Sequence, residues 1–159
     1  MKRQSMASCT MWACAAQLAG VRFHEGTSVL HPSQFKVNEA WIAFKLNDEP
    51  IHTVQDGDFH FVALMDAASG FILSSAPVPV QQGEPTRLES KRVLKEGQAH
   101  KKRWPKTLLV PAEEPAHFLA AEAERLGIEV VRVAEEELLP FIGEAREGFI
   151  EHFGSRGAQ

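Results

Sequence analysis

Apolar positions along the chain change their period near residue 107. Upstream they fall in short, strand-like runs, and downstream strand-like runs alternate with helical faces. Val37 to Leu46 (VNEAWIAFKL) sets Val37, Trp41, Ile42, Phe44 and Leu46 in partial alternation and predicts a first strand. Asn47 to Gly57 is polar and reads as a loop. Asp58 to Met65 (DFHFVALM) predicts a second strand, followed by the reversal Asp66-Ala-Ala-Ser-Gly70. Gly70 can supply the positive φ of a tight turn, so Phe71 to Val80 (FILSSAPVPV) completes a hairpin. Pro77 and Pro79 cannot donate ladder hydrogen bonds, which assigns the far end of that strand to a sheet edge.

Arg87 to His100 (RLESKRVLKEGQAH) spaces Leu88, Val93 and Leu94 at helical intervals among charges, predicting a surface helix that ends near Gly97. Thr107 to Val110 (TLLV) suits a buried strand. Pro115 then opens a helix with Ala116, Leu119, Ala120, Ala123 and Leu126 on one face, and Gly127 ends it. The β-branched run Ile128 to Val133 predicts another buried strand. Pro140 opens a final helix, whose Phe141, Ala145, Phe149 and Phe153 recur every fourth position. Gly143 and Gly148 each weaken that helix by about 1 kcal/mol relative to Ala, so it depends on tertiary burial. The expected fold is α/β with a mixed sheet: antiparallel hairpin strands followed by a β-α-β-α unit whose parallel strands are joined by a right-handed crossover.

A chain of 159 residues suits one domain burying roughly two-thirds of its unfolded surface. Residues 1–36 read as a loosely ordered extension, 37–153 as a single α/β domain and 154–159 as a disordered tail. The weakly basic Met1 to Gln4 and apolar Met6 to Gly20 superficially copy a secretory leader, but lack its leucine-rich centre and small-x-small cleavage site. An extension from an upstream start codon is the preferred reading, with a cytoplasmic location. No run of about 18 apolar residues is present to span a membrane. Cys9 and Cys14, the only cysteines, match no common zinc or redox spacing.

Charge sharpens the picture. The formal net charge of -4 hides a segregation: Arg87 to Lys106 holds eight Lys/Arg against two Glu, and Thr107 to Phe153 three Arg against eleven Glu. Any contact with nucleic acid must therefore be local. The candidates are Lys91, Arg92, Lys95, Lys101, Lys102, Arg103 and Lys106, with Trp104 placed among them to stack on a base. The competing reading is a solvated helix and loop, with Trp104-Pro105 packed as the lead-in to a strand. His52, His60 and Asp66 could meet across a hairpin without any metal, and Ser69 and Ser74 lack a nucleophile elbow. No small-molecule cofactor is indicated.

The element order over Trp41 to Phe153 resembles ribonuclease H-like and integrase-type domains. In that fold carboxylates on an early central strand, at the end of the fourth strand and on a later helix hold divalent cations about 4 Å apart for phosphodiester chemistry. The resemblance implies Asp66 for the first role, Glu113 for the second, and Glu144 or Glu147 for the third, with magnesium as cofactor. Asp66 also has a structural role available, capping its own turn. A second pattern, made of Glu39 to Trp41, Ser69-Gly70, Trp104-Pro105 and Leu126-Gly127-Ile128, is similar to an uncharacterised bacterial domain, which implies a fold and no reaction. Two expectations follow: a non-catalytic interaction or regulatory domain contacting protein or nucleic acid, or a divalent-metal nuclease or integrase-like enzyme. The second requires its three carboxylates to converge.

Overall fold

The computed structural model describes residues 30–154. The hairpin expected from Gly70 is present. Strand β3 (Gly57–Asp66) runs antiparallel to β4 (Ile72–Pro79), and Gly70 takes φ 69° in the turn between them. Strand β1 (Ala40–Lys45) pairs antiparallel with β3, and parallel with β5 (Thr107–Pro111), which is in turn parallel to β6 (Glu129–Val133). The main order is thus β4-β3-β1-β5-β6, with β4 bonded only to β3, where its prolines Pro77 and Pro79 do least damage.

Strand β1 lies at the centre, and its Trp41, Ile42, Ala43 and Phe44 are all buried. A strand covered on both faces needs no polar alternation, which explains its nearly continuous apolar run. On one face Ile42, Phe44, Met65 and Leu109 pack under Leu138, Phe141 and Ile142 of helix α3 (Glu135–Gly154). On the other, Trp41, Leu64, Leu108 and Val110 meet Val93 and Leu94 of α1 (Arg87–Lys101), together with Leu119 and Ala123 of α2 (His117–Arg125). The result is three layers, with α1 and α2 on one side of the sheet and α3 on the other.

Four details depart from the sequence reading. Within Asn47 to Gly57, Ile51–Thr53 forms a short strand β2 against Gly57 to Phe59. Ten-residue β3 outreaches six-residue β1, leaving ladder positions that β2 fills. Helix α1 does not end at Gly97 but runs to Lys101, where Lys102 caps it in the left-handed conformation at φ 62°. Gly97 instead lets the helix approach the sheet, since a Cβ there would stand 2.8 Å from Leu64 Cδ2 and 3.1 Å from the Trp41 ring. Helix α3 starts five residues before Pro140, with Glu135, Glu136 and Glu137 in a first turn that the helix dipole favours. The packed chain also begins before Val37: Leu30 is buried, and the Phe35 ring meets that of Phe141 at 6.0 Å. The leader-like stretch, Cys9 and Cys14 lie outside the described residues.

Candidate functional site

The C-terminal ends of β1 and β5 open toward α3, and a polar cluster fills the gap. Lys45 ends β1, Glu114 follows β5, and Arg146 reaches in from α3 one position beyond the apolar Ala145. The Arg146 guanidinium donates from Nε to the Lys45 carbonyl at 3.0 Å and from Nη1 to Glu135 at 2.6 Å. Its Nη2 lies 3.7 Å from Glu114 and makes no hydrogen bond, while Asp48 stands 3.9 Å from Nη1. The Glu114 carboxylate accepts the Lys45 backbone N–H at 3.2 Å. With side chains only 12% and 15% exposed, Arg146 and Glu114 form a largely desolvated pair. Burial pushes the Glu114 carboxyl above the usual glutamate range, against the opposing charges of Lys45 and Arg146.

This end of the sheet is where the resemblance expects metal-holding carboxylates, and the three expected residues are not brought together. Asp66 pairs with Trp41 at the other end of β1. It is fully buried and accepts the Asn38 N–H at 2.7 Å, the Ser69 N–H at 3.0 Å and the Ser69 hydroxyl at 2.6 Å. Trp41 is level with Leu108, so about 10 Å of strand rise separates the level of Asp66 from the end of β5 at Pro111, and Glu113 lies in the turn beyond that end. Glu113 accepts the backbone N–H of Glu135 at 3.0 Å and so caps α3, while Glu144 and Glu147 are exposed on that helix. Among the described residues, no group of three or more His, Cys, Asp or Glu could hold a metal ion. His52 meets Asp58 rather than Asp66, at 2.6 Å, and His60 bonds the Asn47 carbonyl at 2.9 Å.

The basic segment is arranged differently. Leu88, Lys91, Arg92, Lys95, Glu96 and Ala99 line one open hollow, so the three cations share the outward face of α1. They are exposed, and Arg92 is held only loosely, 3.9 Å from Glu96. The helix is also tied to its neighbours through Glu96, which accepts the hydroxyl of Ser74 on β4, and through Arg87, whose Nε donates to Glu122 of α2 at 3.0 Å. Burial raises the Glu122 carboxyl, but the Arg87 hydrogen bond and the Arg125 charge outweigh it and hold the group below its ordinary range. Past the helix, Lys102, Arg103 and Lys106 are exposed and extend the strip. Trp104, expected to stack on a base, is half-buried with its ring 6.2 Å from that of Trp41. Across the sheet, α3 carries six Glu against the single Arg146, so the two faces have opposite sign.

Sequence reasoning missed Lys45, Glu114 and Arg146. One signal was present: Arg146 lies four residues after Ile142, and that spacing turns it inward.

The sequence matches no protein-family model and no curated protein. Solved structures share the fold. A chain of the simian T-cell lymphotropic virus intasome in complex with PP2A regulatory subunit B56 gamma aligns with a TM-score of 0.50 at 16% identity, over 82% of this chain and 45% of that one. The catalytic core domain of BIV integrase aligns with a TM-score of 0.49 at 13% identity, over 74% of this chain and 70% of that one. The HTLV-2 integrase catalytic core domain in complex with magnesium aligns with a TM-score of 0.44 at 12% identity, over 69% and 82%. This chain spans less than half the length of the intasome chain. At such identities the likeness concerns fold alone: the domain is ribonuclease H-like, a mixed α/β architecture of integrase-type topology.

Proposed function

We propose that this ribonuclease H-like domain is a non-catalytic interaction module that contacts nucleic acid through the outward face of α1. The observation that carries the reading is the identity of the groups at the C-terminal ends of β1 and β5. A lysine ends the central strand and a guanidinium reaches in from α3 beside the glutamates that follow β5, and Arg146 supplies the positive charge that Glu114 and Glu135 require. A divalent cation placed there would meet like charge from Lys45 and Arg146, so these residues do not fit magnesium and no metal-assisted step is derived.

The choice of partner is supported by charge geometry. Lys91, Arg92 and Lys95 cover one exposed face, Lys102, Arg103 and Lys106 continue it, and α3 with its six glutamates lies on the far side of the sheet. A phosphate backbone approaching α1 is attracted, and one approaching α3 is repelled. Among the described residues, no helix is long and apolar enough to cross a membrane.

The test is binding of labelled single- and double-stranded DNA and RNA at low and moderate salt, with and without magnesium, while the probe is checked for cleavage. Expected is salt-sensitive binding with the probe intact. Replacing Lys91, Arg92 and Lys95 together by Ala should lower the slope of log affinity against log salt by about 2 to 3. Magnesium-dependent cleavage that disappears in Asp66→Ala or Glu113→Gln would replace this reading with the nuclease one. No binding at any salt would leave a protein partner.

A further inference from the structure

At the N-terminal end of β1 three segments are tied together by hydrogen bonds, the one between Asn38 and Asp66 buried. Asp66 joins the β3–β4 turn to Asn38, and the Asn38 amide donates to the Arg103 carbonyl at 3.4 Å. Asn38 holds its left-handed φ of 65° within this network, and its side-chain oxygen accepts the Trp41 indole N–H at 2.9 Å. The end of α1 is thereby fixed beside the turn. Two features of this end are unused by the fold. One is a hollow of about 240 Å³ whose rim carries Lys36, Arg103 and Lys106 beside Glu39, whose carboxylate accepts the Lys36 backbone N–H at 2.9 Å. The other is Phe71, a residue 53% exposed immediately before β4.

The Phe71 ring is positioned rather than free. The His100 ring meets it edge-on at 5.9 Å, and the Lys101 ammonium sits 5.7 Å from its centroid, so the last turn of α1 holds it from two sides. A solvent-facing aromatic ring held against cations is what a nucleobase requires: an apolar face to stack on and positive charge for the neighbouring phosphate. Lys101 sits against the ring and Arg103, two residues further along the chain, stands on the rim of the hollow, so the ring and the hollow belong to the same end of the sheet.

We infer that this end of the sheet binds single-stranded nucleic acid, with an unpaired base on Phe71 and the adjoining phosphate among Lys36, Arg103 and Lys106. The inference rests on the proposed function and narrows its ligand. A base within a duplex hides both faces in its stack, so Phe71 discriminates between single and double strands, whereas the α1 strip reads phosphate and serves both.

The experiment uses the full chain, with oligo-dT, oligo-rU and a DNA duplex of equal length, each bearing 2-aminopurine, read by anisotropy and by quenching of the base. Phe71→Ala is expected to weaken both single strands about tenfold and abolish the quenching, with duplex affinity unchanged. Phe71→Trp should restore both signals. The oligo-dT and oligo-rU arms decide between DNA and RNA. The inference is overturned if Phe71→Ala leaves single-strand binding intact while replacing Lys91, Arg92 and Lys95 weakens it, an outcome that preserves the parent reading. Equal weakening of duplex and single strand by Phe71→Ala also overturns it. If the unaltered protein binds none of the probes, the parent reading fails and this one with it.

Discussion

Replacing Arg146 by Met tests whether its charge holds the end of the sheet together. Methionine keeps much of the aliphatic stem and removes the guanidinium, so Glu135 and the Lys45 carbonyl lose donors and Glu114 loses its closest cation on α3. The side chains of Arg146 and Glu114 are 12% and 15% exposed, so water does not fully replace the lost partner. Removing one member of such a pair costs about 3 kcal/mol, which for a domain of this size lowers the melting temperature by about 10 °C. The effect depends on pH in a determined direction. Burial already raises the Glu114 carboxyl, so the folded state binds more protons than the unfolded state above the ordinary glutamate value of about 4.3. Wild-type stability from this group is therefore full below that value and is lost as pH rises through the folded pKa. Loss of Arg146 raises the group further and widens the window, so the cost of Arg146→Met should be larger at about pH 8 than at about pH 5. Urea denaturation of wild type, Arg146→Met, Glu114→Gln and the double variant at both pH values measures it. The double variant should recover about 1–2 kcal/mol relative to Arg146→Met, because the buried charge of Glu114 is then gone and only the more exposed Glu135 has lost its partner. A cost equal at both pH values, or strictly additive single effects, would refute the account of Arg146 as the counter-charge of Glu114.

Three further outcomes follow from the packing. Gly97→Ala should destabilise by about 1–2 kcal/mol in chemical denaturation, because crowding against Leu64 and Trp41 exceeds the gain of roughly 1 kcal/mol in helix propensity; a stabilised variant would contradict the close approach. Asp66→Ala should cost about 3 kcal/mol, because it strands the buried Asn38 N–H, and Asn at 66 should recover part of the loss; a fully stable Ala variant would show that solvent reaches the turn. Ser90 is fully buried and its hydroxyl has no partner, so Ser90→Ala should be neutral or stabilising by up to about 1 kcal/mol, and a loss above that in thermal melts would reveal an unrecognised bond.

Much of the architecture was legible along the chain, because periodicity and chain-breaking residues act locally. Gly70 fixed a reversal, Pro77 and Pro79 marked an edge strand, and the strand-helix-strand-helix run from Thr107 named a parallel unit whatever lay beside it. Segregation of positive charge before Thr107 from negative charge after it was legible for the same reason. Other features depended on partners distant in sequence. Whether Gly97 ends a helix or admits it to a sheet depends on Trp41 and Leu64, and whether three residues form β2 depends on how far β3 outreaches β1. The candidate site was the least legible part. Asp66, Glu113 and Glu144 have the residue types a metal centre needs, but register placed Asp66 at the end of the sheet away from Glu113. The same folding turned Arg146 inward onto Glu114 and Glu135, and it held the Phe71 ring outward against Lys101. Side-chain direction and convergence are set by which strands pair and which helix face is buried, and only tertiary packing decides those.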